Sequence, residues 1–209
     1  EELDRTESLI RKALNPFIFG EGRDTIESAV IDALRHAHQS LVVVESCTGG
    51  LLGSLLTSVP GSSDVFLGGW ITYSNDMKAS EVGVAESALK TEGAVSEPVA
   101  RAMALGALQT LVGQRAEHAL AITGVAGPGG GSASKPVGTV FIARASRESP
   151  GAEPTAEVRR FLISGDRRDV RDRSAKLALA MLRFHMLKAP PPRLLWQMGL
   201  DGGPLAAEA

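Results

Sequence analysis

Cysteine and tyrosine are nearly missing: Cys47 and Tyr73 are the single examples of each in a 209-residue chain with only 4% aromatic side chains. One thiol cannot close an internal disulfide, which favours an intracellular, cytoplasmic setting. No apolar run of about eighteen residues is available to cross a bilayer, and no secretory signal is visible. Charge is also close to balanced, with Lys+Arg 22 against Asp+Glu 24 and a formal net charge of -2. Such a balance offers no general attraction to nucleic acid, so neither direct nucleic-acid binding nor a membrane partner is expected. Metal chemistry finds little support, because the chain has no HExxH, no clustered Cys/His spacing and no aspartate ladder. A P-loop is missing as well: GPGGGSASK at 127–135 has the glycines, but its lysine is wrongly spaced and no Ser or Thr follows it. A phosphate-contacting nest of backbone N–H groups is still possible there. No metal and no cofactor is expected.

What the chain does have is LVVVESCTGG at 41–50. Four apolar residues and a glutamate, then hydroxyls and a thiol, then paired glycines before a new apolar run, describe a buried strand that breaks into a helix. Ligands collect beyond the carboxyl ends of such strands. Ser46 and Thr48 would lie at that end, and Gly49 and Gly50 would let backbone N–H groups approach a ligand at the positive end of the following helix. The plainer alternative is that Thr48 caps the helix and Ser46 turns the chain.

Around this stretch the hydrophobic patterning predicts three regions. Residues 1–22 form an N-terminal helix, stopped by Asn15-Pro16, and a connector. Residues 23–188 form the main domain. Residues 189–209, beginning beside Pro190-Pro191-Pro192, form a tail expected to be mobile or to pack on a neighbour through Leu194, Leu195 and Trp196. Within the main domain a helix is expected from Asp24, with Asp24 as N-cap and Glu27 completing a capping box. A helix over 51–59 and a strand over 65–73 follow, with Gly68-Gly69 marking a bulge or a close backbone approach. Ser74 or Asn75 should cap the helix that carries Lys78, and Ser96-Glu97-Pro98 should open another. Strands are then expected at 119–123, 137–145 and 156–164, before a long helix capped by Asp166 whose outer face pairs Asp169 with Arg173 and Asp172 with Lys176. Helices alternate with buried strands first, and adjacent strands come later. That order predicts an α/β fold, a three-layer α/β/α domain with a mixed, mainly parallel sheet.

If the expected strands are neighbours, the segments 46–50, 73–78 and 123–131 converge on one crevice. A serine nucleophile needs a proton acceptor, and none of His36, His38, His118 and His185 sits in a glycine-bounded turn. Lys78 is the better base, because a position just inside a helix N-terminus and burial both favour its neutral amine. Tyr73 could relay that proton or hold the nucleophile. The alternative is a solvated lysine and a tyrosine packed at a sheet edge. Arg167 and Arg168 oppose the dipole of the helix they begin, which an anion would explain and ion pairs to Asp166, Asp169 or Asp172 would also explain.

Taken in order, ESCTGG (45–50), GSS (61–63), ITYSNDMK (71–78), GAVSEPVA (93–100), ITGVAGPGGG (122–131), KPVGTV (135–140) and SGDRRDVR (164–171) closely resemble the C-terminal domain of the CinA competence/damage-inducible family. The likeness runs from about Asp24 to Leu187, and the same domain stands alone as nicotinamide mononucleotide deamidase. The resemblance implies metal-independent hydrolysis of the nicotinamide carboxamide to nicotinate mononucleotide and ammonia, with Ser46 as nucleophile and Tyr73 and Lys78 as its partners. Substrate contacts are then expected from Thr48, Gly49, Gly50, Thr123, Gly124, Gly127 and Arg167, with the 5′-phosphate near Arg167 and the 123–127 turn. It also makes a homo-oligomer plausible. Residues 15–21 (NPFIFGE) resemble the connector of two-domain members, so an N-terminal domain upstream is an expectation. Two other readings compete: Cys47 as the nucleophile of a thiol amidase, and a non-catalytic domain that binds nucleotides or a partner in competence or damage responses.

Overall fold

Five consecutive buried residues, Leu41–Glu45, form β1 and lie in the interior of a six-stranded sheet. The computed structural model describes residues 2–149, 152–188, 190 and 192–205. Parallel neighbours flank β1: β2 (Phe66–Ile71) on one side and β3 (His118–Gly124) on the other. Antiparallel pairings then add β4 (Thr139–Ser146), β5 (Thr155–Leu162) and β6 (Gln197–Met198), giving the order β2-β1-β3-β4-β5-β6. The sheet is mixed, as expected, with β1, β2, β3 and β5 running one way and β4 and β6 the other.

Side-chain alternation along the strands builds the three layers. Leu41, Val43, Leu120 and Ile122 face a layer of α2 (Ile26–Ala37), α3 (Leu51–Thr57) and α7 (Arg167–Met186). Val42, Val44, Ala119 and Ala121 face α4 (Asn75–Val82), α5 (Glu86–Thr91) and α6 (Glu97–Gln109). The second face is lined with alanine on both sides: Ala143 and Ala145 of β4 share a core with Ala100, Ala104 and Ala107 of α6. Small residues in both layers let helix and sheet approach closely, and the first face fills the wider gap with Leu, Ile and Val. The N-terminal helix α1 (Glu2–Leu14) buries none of its residues.

Several local expectations are met and others are corrected. Ser74 caps α4 by accepting from the Met77 N–H, and Asp166 caps α7 with a reciprocal box through Asp169. The cap of α2 is Thr25, boxed with Ser28, and not Asp24 with Glu27. Asp24 is used one turn earlier, where its carboxylate accepts from the Glu21 N–H. The short helix α5 carried too little periodicity to be foreseen. Through residue 205 the tail lies on its own domain: Leu194 is buried and Leu162 of β5 donates its N–H to the Trp196 carbonyl. Residues 189, 191 and 206–209 of the tail lie outside the described residues.

The glycine pair in β2 does both things foreseen for it. The β1–β2 register shifts between Leu41 and Val42, where Gly68 adopts φ 136°, and Gly69 then lies against Val43. A Cβ at Gly69 would meet the Val43 side chain and stand 2.6 Å from the Val43 carbonyl oxygen. Gly69→Ala should therefore destabilise the domain by about 1–3 kcal/mol through overpacking, measured as a lower urea midpoint with an unchanged m-value.

Candidate active site

At the carboxyl end of β1 the chain turns through Ser46, Cys47 and Thr48 into two left-handed glycines, Gly49 at φ 58° and Gly50 at φ 94°. A side chain at either position would be strained, so the turn needs glycine to reverse sharply into α3. Only Ser46 of the residues between Glu45 and Thr48 keeps partial solvent access; Glu45, Cys47 and Thr48 are buried. The turn is held from inside by Glu45, whose carboxylate accepts the N–H groups of Gly50 (3.0 Å), Leu52 (3.0 Å) and Gly53 (2.8 Å). It is held from outside by Arg171, which donates Nε (3.2 Å) and Nη2 (2.8 Å) to the Thr48 carbonyl.

Lys78 reaches this turn from the first turn of α4. Its Nζ lies 3.2 Å from Ser46 Oγ and 2.7 Å from the Thr72 carbonyl oxygen, with only 1% of the residue exposed. Burial holds the amine below the ordinary lysine range, since desolvation penalises the ammonium form. A neutral amine suits both contacts, since it can donate to the Thr72 carbonyl and to Ser46 Oγ and still carry a lone pair. Burial acts in the opposite sense on Cys47, whose thiol is pushed up to about 12, with the Glu45 charge adding to the effect.

Tyr73 is placed differently from expectation. It is 60% exposed, and its hydroxyl accepts a hydrogen bond from Arg167 Nη2 (2.9 Å). No bond joins it to Ser46 or Lys78. The other arm of Arg167 donates to the Gly127 carbonyl (2.6 Å), so this guanidinium bridges the β2–α4 segment and the glycine-rich loop. Among the described residues Arg167 pairs with no carboxylate, which leaves its positive charge uncompensated beside the Ser46 turn.

The remaining expected substrate contacts divide in two. Gly49 is exposed, while Gly127, at φ 82°, offers its carbonyl to Arg167. Three others are used internally. The Gly50 N–H belongs to Glu45; the buried Thr123 hydroxyl donates to the Ala94 carbonyl (2.8 Å); and Gly124 packs against β4, where a Cβ would stand 2.9 Å from the Thr139 carbonyl oxygen. The Gly49 N–H bonds to the Ser46 carbonyl (3.1 Å), so among the described residues the Cys47 and Thr48 N–H groups are the ones in this turn that donate to no other residue. Glu45 and Arg171 were missed as site residues, although a glutamate closing an apolar strand and an arginine one turn after Arg167 were visible signals.

All four histidines lie at the opposite end of the sheet or its helices. His118 begins β3, His185 closes α7 with its ring 5.6 Å from that of His118, and His36 and His38 end α2. Among the described residues no group of His, Cys, Asp and Glu is arranged to hold a metal ion.

A three-layer α/β domain carrying a partly exposed serine beside a buried lysine, beyond its parallel strands, is the class that fold and site define. The family model described as the CinA C-terminal domain matches residues 23–186, and the chain belongs to that family. A CinA-like protein from Thermotoga neapolitana is 42% identical over 186 residues, covering 89% of this chain and 43% of its own length. Another from Chlorobium luteolum is 46% identical over 170 residues, covering 81% and 38%. The chain thus spans about two fifths of the length of these relatives. Among solved structures, the competence/damage inducible protein CihA from Agrobacterium tumefaciens superposes with a TM-score of 0.69 at 37% identity, over 78% of this chain and 93% of its own. A CinA superfamily protein from Klebsiella pneumoniae gives 0.71 at 31% identity, over 78% and 96%.

Removing the Glu45 carboxylate would orphan amides that are largely shielded from water. Glu45→Ala should cost about 3 kcal/mol, since hydrogen bonds to a charged group contribute about 1.5–3 kcal/mol each and are not additive. Chemical denaturation of the variant beside the parent checks this.

Proposed function

We propose that this domain hydrolyses the carboxamide of nicotinamide mononucleotide to nicotinate mononucleotide and ammonia through a serine ester. The observation that carries the reading is the Lys78 Nζ to Ser46 Oγ distance of 3.2 Å in a desolvated setting. A nucleophile within hydrogen-bond reach of a base, with that base itself oriented by a third group, is the geometry of covalent acyl transfer. The substrate comes from the resemblance to stand-alone deamidases, and the uncompensated Arg167 charge suits its phosphate.

In the first half-reaction the Ser46 hydroxyl gives its proton to Lys78 as Oγ bonds to the carboxamide carbon. The oxygen that becomes negative faces the Cys47 and Thr48 N–H groups. The Lys78 ammonium then protonates the departing nitrogen, the C–N bond breaks, and ammonia leaves an acyl-serine. Water, losing its proton to the same amine, attacks the ester and releases the acid and the Ser46 hydroxyl. Tyr73, held by Arg167, is positioned to contact the substrate at the mouth of the site.

Incubation of the purified chain with nicotinamide mononucleotide should yield the acid product by mass and one equivalent of ammonia. Ser46→Ala should remove turnover and Cys47→Ala should retain it; the reverse pattern, or no product from the parent chain, would sink the proposal. Lys78→Met should lower kcat by about 10²–10⁴-fold, the usual worth of a general base.

The pH behaviour has a fixed sign. Because the folded-state pKa of Lys78 lies below its unfolded value, activity rises as pH climbs through the folded value. Between the two values the unfolded chain binds more protons, so the contribution of this group to stability also grows with pH there. Lys78→Met should therefore be at least as stable as the parent near neutrality while losing activity, which separate melting and rate measurements would resolve.

A further inference from the structure

Residues 192–203 lie outside residues 23–186, which the family match covers, yet they are built into the domain. β6 pairs with β5 through Arg160↔Met198 and Phe161↔Gln197. Arg159 Nη1 donates to the Pro192 carbonyl (2.8 Å) and to Gln197 Oε1 (3.2 Å), and the Arg173 guanidinium lies 5.0 Å from the Trp196 ring centroid. Beyond β6 the chain turns back at 199–203, with the Gly199 N–H on the Gly203 carbonyl (2.8 Å) and the Gly203 N–H on Asp201 Oδ1 (2.9 Å).

One side chain joins this turn to the candidate active site. Arg160 of β5 donates Nη1 to the Leu200 carbonyl (3.2 Å) and Nη2 to the Ser134 carbonyl (2.9 Å), with its guanidinium carbon 5.5 Å from the Phe141 ring centroid. Among the described residues it pairs with no carboxylate, so the two carbonyls, one from the tail and one from the glycine-rich loop, share its charge. That loop needs outside support: four of its nine residues from 127 to 135 are glycine. Its other ties are Arg167 on the Gly127 carbonyl and Lys135 Nζ on the Glu92 carbonyl (2.7 Å).

We propose that Arg160 is a positioning residue that couples the C-terminal strap, residues 194–203, to the glycine-rich loop, so that the strap sets where Gly127 and hence Arg167 stand. An extra strand laid on β5 thereby tunes substrate binding without touching the serine–lysine pair. The kinetic part of the proposal rests on the deamidase reading; the structural coupling does not.

Two substitutions perturb the clamp from opposite sides. Arg160→Met removes it. Gly202→Val attacks it from the tail, because Gly202 sits at φ 94° and a Cβ there would stand 2.7 Å from Arg160 Nη1. Native-state hydrogen exchange should show residues 128–136 and 197–203 speeding up together, by about tenfold, in both variants. KM for nicotinamide mononucleotide should rise about three- to tenfold with kcat within about twofold of the parent. Arg160→Lys, a single point charge in place of the fork, should fall between parent and Met variant in both readouts. Faster exchange confined to 197–203 in Gly202→Val would overturn the coupling, and an unchanged KM would overturn the positioning role. Should the parent chain fail to turn over this substrate, the deamidase reading falls, and the exchange data still decide whether strap and loop move as one.

Discussion

An ammonium ion placed where Lys78 sits would be shielded from water and, among the described residues, without a carboxylate partner, and the site follows from how the fold meets that constraint. Desolvating an unpaired charge costs several kcal/mol, so the amine is driven towards its neutral form. A neutral amine still has N–H groups to satisfy, and the Thr72 carbonyl takes one of them. Thr72 can do so because its own N–H is fixed on the Glu45 carbonyl (2.8 Å), which ties the end of β2 to the end of β1. The glycine bulge at Gly68 sets the register that brings these two residues level. A backbone irregularity two strand residues upstream of Trp70 is thus linked, bond by bond, to the placement of Lys78 Nζ beside Ser46.

Glu45 governs the other half of the electrostatics. A helix N-terminus pointing into a crevice would ordinarily draw an anion. Here a buried carboxylate on β1 already occupies the first amides of α3. That anchors the Ser46 turn and leaves those α3 amides unavailable to an external anion. Positive potential is supplied from the other side by α7, where Arg167 and Arg171, one turn apart, face the glycine-rich loop and the Thr48 carbonyl. The surroundings of the Ser46 turn are therefore polarised, with guanidinium groups on α7 and a buried amine on α4.

Much of this was legible in the sequence because the same residues carried local and long-range signals. LVVVESCTGG specified a buried strand, a sharp turn and a helix start together, and Gly68-Gly69 announced both the bulge and the close approach. What could not be read were contacts set by three-dimensional neighbours. Nothing local says that Thr123 will spend its hydroxyl on Ala94, or that Glu45 will reach forward to Gly53. Tyr73 was expected beside Ser46 because it ends the strand that leads into the Lys78 helix, but a residue at the end of an edge strand turns outward as readily as inward, and Arg167 was there to hold it. Asp24 and Thr25 are both good caps, and the choice between them fell to Asp24's alternative partner at Glu21. The tail failed for a different reason: its apolar residues are few and proline-rich sequence hides a two-residue strand, so only the exposed edge of β5 reveals where it goes.

Cys47 and Lys78 show one cause producing opposite chemistry. Both are buried at the same turn, and burial disfavours whichever form carries charge. For the amine the uncharged form is the base, so desolvation makes it more useful near neutral pH. For the thiol the uncharged form is the poor nucleophile, and the neighbouring Glu45 carboxylate pushes the same way, leaving it protonated. The intrinsically more nucleophilic atom of the adjacent pair is thus held towards its protonated, less reactive form. The weaker one, Ser46, keeps solvent access and the lone pair of a desolvated amine. The one-residue alternation at this turn buries Cys47 and leaves Ser46 partly open to solvent beside Lys78.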